Sequence, residues 1–258
     1  MVSLKSIISG QNVGPPRVLI HGVAGVGKTT NAAGSNKPNF IQTEDGADVI
    51  GAERFPKAED YKTVVEQIDL LTNETHNYRT VVIDSLDWLE PLVNDHICQE
   101  KGKADISSFG YGEGYKLAAS EWRQLLNKLG ELRKKQGMVI IMLAHTQVKT
   151  FHDPSLDSYD RYQIKLNNQV SYLCMENSDL VGFANYKTTI REGEEKFSRK
   201  TIKAVGAGER VLYTQERPAW IAKSRYAIPD QLEFSWDAVN DAIKATIEPE
   251  EDKENEAA

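Results

Sequence analysis

The run Pro15-Pro16-Arg17-Val18-Leu19-Ile20-His21-Gly22-Val23-Ala24-Gly25-Val26-Gly27-Lys28-Thr29-Thr30 decides how the rest of the chain is read. Arg17 to His21 reads as a short buried strand, and Gly22 to Thr29 fits the phosphate-loop pattern G-x-x-x-x-G-K-[ST]. Glycines at 22, 25 and 27 let the backbone curl so that its N–H groups, those of Val23, Ala24 and Val26 among them, point inward at an anion. Thr29 and Thr30 open a helix whose N-terminus adds partial positive charge. In such a loop Lys28 supplies a full charge for the β- and γ-phosphates, and the Thr29 hydroxyl is placed to ligate Mg²⁺. Lys28 is expected on a solvent-facing loop rather than in the core.

Outward from the loop, strands and helices alternate. Asn39–Thr43 is a second short strand, ending at Glu44-Asp45-Gly46, and Ala58 to Thr72 carries apolar residues at helical spacing. Arg79–Ser85 is a third strand whose β-branched run, capped by Asp84, suits burial on both faces of a parallel sheet. Leu86 to about Gln99 is helical, Gly102 to Tyr115 is a polar, glycine-rich loop, and Tyr115 to Gln136 is a long amphipathic helix. Met138–Ala144 is a fourth core strand, ending in His145-Thr146-Gln147, and a second long polar loop follows from Val148 to about Asn168. Later strands are expected at Asp179–Ala184, Thr201–Val205 and Arg210–Thr214, and a closing helix at Trp236–Ile247. This order predicts an α/β fold, a P-loop NTPase core with a mostly parallel central sheet flanked by helices.

Length and composition agree with one large α/β domain: 258 residues, 40% hydrophobic and 27% charged. No apolar run is long enough to span a membrane, and no signal peptide is evident. Cys98 and Cys174 lie far apart, which argues against a metal site or disulfide framework and points to a reducing cytoplasm. The net charge of −7 is uneven, because the last eleven residues hold six acids and one lysine. Without them the chain is close to neutral, and a local basic groove remains compatible with it. The expected division is a lead-in over 1–14, a core over 15–247 and a disordered acidic tail over 248–258.

Asp84 ends an apolar strand downstream of the phosphate loop, where nucleoside triphosphatases place the acid that holds Mg²⁺ through water; it also fits a helix N-cap. Glu44 ends another strand, and a carboxylate there can orient and deprotonate the water that attacks the γ-phosphate. Asp45 is a rival on the same turn. His145 and Gln147 follow the fourth strand, where a polar side chain can contact the γ-phosphate; His145 reads equally as a hydrogen-bonded sheet-end histidine. Gly110-Tyr111-Gly112-Glu113-Gly114-Tyr115 lacks the preceding strand of a dinucleotide fingerprint. Its glycines and rings, with Lys116 beside them, instead suit a mobile loop for base stacking, and a plain surface loop is the alternative. The second loop interleaves bases and aromatics, Lys149, Phe151, Arg161, Tyr162 and Lys165, as single-strand binding requires; a solvated loop has the same composition.

Phe40-Ile41-Gln42-Thr43-Glu44 followed by Asp48 resembles the second-strand segment of RecA-type recombinases. The resemblance implies Glu44 as catalytic base and Asp48 as an adenine contact. It also implies that the two polar loops bind DNA, and that Lys223-Ser224-Arg225 inserts two cations into a neighbouring subunit's active site. The Gly-Tyr-Gly-Glu-Gly-Tyr run, Tyr159-Asp160-Arg161-Tyr162 and Ala222–Pro229 are similar to phage nucleotide-binding proteins of the AAA/RecA type, some of them core-only single-strand annealing proteins. The resemblance spans about Val18 to Trp236, and the stretch before Pro15 is too short for the N-terminal domain of full-length recombinases. It implies a RecA-like, ATP-hydrolysing protein with ATP and Mg²⁺ as cofactors. Single-stranded DNA, head-to-tail copies of the chain and a single-strand-binding protein are the implied partners. Two alternatives differ in class. A nucleotide-gated loader of a partner protein shows little turnover, and a metabolite kinase calls for an arginine-rich lid that the chain lacks.

Overall fold

The structure, a computed structural model, describes residues 14–46, 50–155, 157–187, 189–192, 202–205 and 208–247. Asp48, most of the lead-in and the acidic tail lie outside the described residues.

Five parallel strands form the centre: β1 (Arg17–Gly22), β2 (Pro38–Gln42), β3 (Thr80–Asp84), β4 (Val139–Phe151) and, after the hairpin strand β5 (Tyr159–Ile164), β6 (Leu180–Tyr186). They lie in the order β2-β3-β4-β1-β6. A two-stranded hairpin, β7 (Thr189–Glu192) and β8 (Ile202–Val205), stands apart. Beyond β6 the sheet turns antiparallel through β9 (Arg210–Tyr213) and β11 (Gln231–Glu233), while β10 (Lys223–Ser224) pairs with the start of β6. The mostly parallel α/β architecture expected from the strand–helix alternation is therefore present.

Side chains on β1 alternate between two cores, as period-2 geometry requires. Leu19 packs into the larger core with helices α2 (Tyr61–Asn73), α3 (Leu86–Lys101), α4 (Glu113–Gln136) and α5 (Asn168–Asn177). Val18 and Ile20 face the smaller core with α1 (Lys28–Ala33) and α6 (Trp236–Ile247). Trp122, fully buried on α4, anchors the larger core.

Two expectations change. The second polar loop is largely a β-hairpin: β4 continues past the sheet to Phe151 and pairs antiparallel with β5, Val148 opposite Tyr162 and Phe151 opposite Tyr159. The physical reason is cross-strand ring packing, since Phe151 and Tyr159 lie 5.6 Å apart between centroids. The first polar loop tightens into two 3₁₀ turns, and α4 begins at Glu113 rather than at its end. There Gly114 packs so closely on Ile106 that a Cβ would lie 2.4 Å from its carbonyl oxygen. Helix α5 follows the hairpin, in a stretch whose polar residues concealed it.

Candidate active site

The phosphate loop leaves the sheet where β1 is flanked on both sides. Gly22 stands opposite His145 of β4 and Ala184 of β6. A Cβ on Gly22 would meet the Ala184 carbonyl oxygen at 2.4 Å, so only glycine fits. Gly27, at φ 95°, then turns the chain into α1. Val26 is buried in the smaller core, whereas Ala24, Gly25 and Thr30 are exposed. Lys28 corrects the expectation of a solvent-facing side chain. It is buried, and its Nζ folds back to donate to the carbonyls of Gly22 at 3.3 Å and Val23 at 3.4 Å. Burial lowers its pKa, and Asp84, Asp87 and Glu44 oppose that shift.

Asp84 ends β3 and is 4% exposed. Thr43 pins its backbone: the Thr43 N–H donates to the Asp84 carbonyl at 2.8 Å, and the Thr43 hydroxyl donates to the Ser85 carbonyl at 2.7 Å. Burial pushes the Asp84 carboxyl up to about 6, Glu44 adds to the shift, and Thr29, Lys28 and His145 oppose it. Among the described residues no three histidine, cysteine or acidic side chains gather as a protein-only metal site. One hydroxyl and one buried carboxylate beside a phosphate loop form the oxygen donor set that Mg²⁺ takes when nucleotide phosphates and water complete its shell. Thr29 and Asp84 fit that role.

Glu44, half-buried at the end of β2, is close enough for its charge to be felt at both Asp84 and Lys28. Its rival Asp45 is exposed and bound to Lys57 at 3.1 Å. On β4, the His145 Nδ1 bonds to Asp87 at 3.0 Å. Gln147 is committed to the hairpin, its amide donating to the Ile164 carbonyl at 3.2 Å.

Several neighbours of the loop were not singled out in the sequence. The Tyr186 hydroxyl donates to the Gly25 carbonyl at 3.1 Å, and Arg210, its partner across β9, brings a guanidinium nitrogen within 2.8 Å of where a Cβ on Gly27 would sit. His21, fully buried under the loop, bonds the Ile221 carbonyl at 2.8 Å and packs on Phe183 at 5.1 Å; burial drives its pKa down to about 4. Only Asp87 carried a local signal: it is an acid on the first turn of the helix that follows the strand ending in Asp84.

The DNA candidates divide. Tyr111 is fully exposed, Tyr115 and Lys116 are exposed on the first turn of α4, and Lys165 is exposed after β5. A groove of about 390 Å³ between α3, α4 and the hairpin base is lined by Tyr115, Gln147, Lys149 and Lys165, which brings both candidate segments to one side. Arg161 is not at that surface. It is buried, ion-paired with Glu216 and 5.1 Å from the Phe151 ring. Tyr162 is stacked on Phe183 at 5.1 Å. As adjacent residues of β5 they face opposite ways, and each is engaged by partners of its own, which composition does not reveal.

Lys223 and Arg225 lie at the opposite end of the sheet. Lys223 donates to the Met175 and Ser178 carbonyls at 2.8 and 3.0 Å. Arg225 binds Asp179 at 2.9 Å and the Glu176 carbonyl at 2.7 Å. Both side chains thus serve the C-terminal end of α5, where cations complement the helix dipole.

A family model described as an AAA domain matches residues 14–226, from just before β1 to just beyond β10. The chain belongs to this AAA-domain family. None of the curated proteins matches it. A solved structure similar to this AAA-domain protein is the crystal structure of the RadB recombinase. The likeness covers 81% of this chain and 86% of that one, at 15% identity and a TM-score of 0.42. No helix among the described residues is long and apolar enough to cross a membrane.

Proposed function

We propose that this AAA-domain protein is a RecA-like ATPase that binds single-stranded DNA and promotes annealing or recombination. The observation that carries the nucleotide half is Asp84: a buried carboxylate, raised to about 6 by burial, set against Thr29 and Lys28 of a phosphate loop. Such an arrangement is stabilised when a cation–polyphosphate complex enters it. Mg²⁺ held by Thr29 and Asp84 would neutralise charge on the β- and γ-phosphate oxygens. Lys28 leaves its two carbonyls for the phosphates, and the loop amides orient them. Glu44 positions and deprotonates the attacking water.

The DNA half rests on the groove shared by Tyr115, Lys149 and Lys165, with Tyr111 and Lys116 beside it. Exposed rings stack bases and exposed lysines take phosphates. Lys223 and Arg225 lie at the sheet end remote from their own phosphate loop, so any action on a γ-phosphate is in trans, through a head-to-tail assembly. The annealing role, a phage origin and a single-strand-binding protein as partner draw on the sequence resemblance alone. ATP turnover measured with and without single-stranded DNA tests the reading: stimulation is the expected result. Binding of ATP without turnover in either condition sinks it in favour of a nucleotide-gated loader.

A further inference from the structure

Asp87 sits on the first turn of α3 with its side chain 1% exposed. Its Oδ1 accepts from the backbone N–H of His145 at 2.9 Å, and the His145 Nδ1 lies 3.2 and 3.0 Å from its two oxygens. Burial alone would raise this carboxyl, but hydrogen bonding by His145 holds it down to about 2. It is therefore an anion and accepts only, so Nδ1 is the nitrogen that carries hydrogen. That leaves Nε2, on the far side of the ring, without a protein partner among the described residues. His145 stands opposite Gly22 in the β1–β4 register, and its charge is felt at Asp84. The charge of Asp87 is felt at Lys28. The pair is thus close to both the phosphate-loop lysine and the candidate Mg²⁺ acid. A third group meets it from the hairpin: Lys165 reaches to 3.6 Å from Asp87 and is 57% exposed, while its backbone N–H donates to the His145 carbonyl at 2.9 Å.

We propose that Asp87 is a positioning residue for nucleotide sensing: it holds the His145 ring with Nδ1–H on its carboxylate and turns Nε2 to the γ-phosphate, so that a ring carrying both protons donates Nε2–H to a phosphate oxygen. The inference rests on the nucleotide-site reading and adds the residue that makes His145 directional. A histidine free to rotate at a sheet end offers either nitrogen; one gripped at both its backbone N–H and its ring offers one. Lys165 shares the same carboxylate, so an anion that draws Lys165 away strengthens the hold of Asp87 on His145. Lys165 of the candidate DNA groove and His145 beside the phosphate loop thus compete for one acid.

The test uses the full chain with ¹⁵N-labelled histidine, titrated with Mg²⁺ and either ADP or a non-hydrolysable ATP analogue. The expected result is that the His145 Nε2 signal moves with the triphosphate and not with the diphosphate. In Asp87→Asn that distinction shrinks severalfold while both nucleotides still bind. Turnover in Asp87→Asn falls by roughly 10-fold to 100-fold with KM for ATP nearly unchanged. Combining it with His145→Asn causes no further loss beyond His145→Asn alone. A merely structural Asp87 lowers the melting temperature, leaves the triphosphate-specific signal in place and multiplies its loss onto that of His145→Asn; either of the last two results overturns the inference. If Asp87→Asn fails to fold, the wild-type titration alone decides. Binding of both nucleotides without a triphosphate-specific change at Nε2 overturns this inference and leaves the nucleotide site standing. Binding of neither overturns both.

Discussion

Two buried aspartates stand at opposite ends of one sheet, and they behave in opposite ways. At the far end, Asp179 receives Arg17 through the backbone N–H at 3.0 Å, Nε at 3.2 Å and Nη2 at 2.8 Å, and Arg225 at 2.9 Å. Burial would raise its carboxyl, but Arg17 prevails and the pKa falls below the ordinary value. At the loop end, Asp84 is as deeply buried and has no such bidentate partner; its carboxyl rises to about 6. A buried charge whose partners are complete holds the fold together. One without such partners keeps a raised pKa, the pattern that gathers at functional sites.

Lys28→Ala puts this contrast under the most pressure. Nucleotide affinity should fall by about 10³-fold, because three acids around the loop lose their shared cation. Calorimetric titration that finds unchanged affinity breaks the contrast at its loop end. Lys223→Ala combined with Arg225→Ala asks whether the far end also acts on a neighbour. ATP binding should stay nearly normal while turnover falls by roughly 10²-fold to 10³-fold. Mixing with the Lys28→Ala protein should restore part of the activity. A mixture that co-assembles yet stays inactive confines both cations to capping α5.

Glu44→Gln should keep ATP binding and lose turnover by roughly 10²-fold. Asp45→Asn should be silent, since Asp45 is occupied by Lys57. The reverse outcome moves the base by one residue. Asp179→Ala should cost about 2–3 kcal/mol in denaturant unfolding, reduced by the partial exposure of Arg225, and leave nucleotide affinity within twofold.

The smallest effect is on pH. A carboxyl raised from 3.8 to about 6 on folding binds its proton more tightly in the folded state. The ligand-free protein therefore loses up to about 2 kcal/mol from this group as pH rises from about 4 to 6. Asp84→Asn should flatten that slope. Asp179, depressed on folding, contributes in the opposite sense: its stability is present above its unfolded pKa and is lost as pH falls through its folded one. An unfolding series across this range in the two single variants separates them.

The loop end was largely legible in the sequence. Gly22 to Thr29 and the run ending in Asp84 are local patterns, and local patterns survive without knowledge of what packs on them. The burial of Lys28 was not legible, because it follows from carbonyls six and five residues back that only the folded loop presents. Nor was the hairpin: Lys149, Phe151, Arg161 and Tyr162 have the composition of an exposed loop, and only antiparallel pairing reveals that Arg161 faces Glu216 inside. Arg210 and Tyr186 reach the loop across some 160 to 180 residues, a distance at which spacing carries no information. Asp87 is the intermediate case, visible as an acid on the first turn after the Asp84 strand but meaningless until His145 is seen against it.

Strand β4 runs without a break from Val139 in the core to Phe151 in the hairpin. His145 lies midway, at the edge of the parallel sheet. The strand therefore has the form of a lever with its fulcrum beside the phosphate loop. The outer arm, from His145 to Phe151, is about 20 Å long at a rise of about 3.3 Å per residue. A tilt of about 5° at His145 carries the hairpin tip through nearly 2 Å. Motion of that size at the hairpin tip is about half the roughly 3.4 Å spacing of stacked bases.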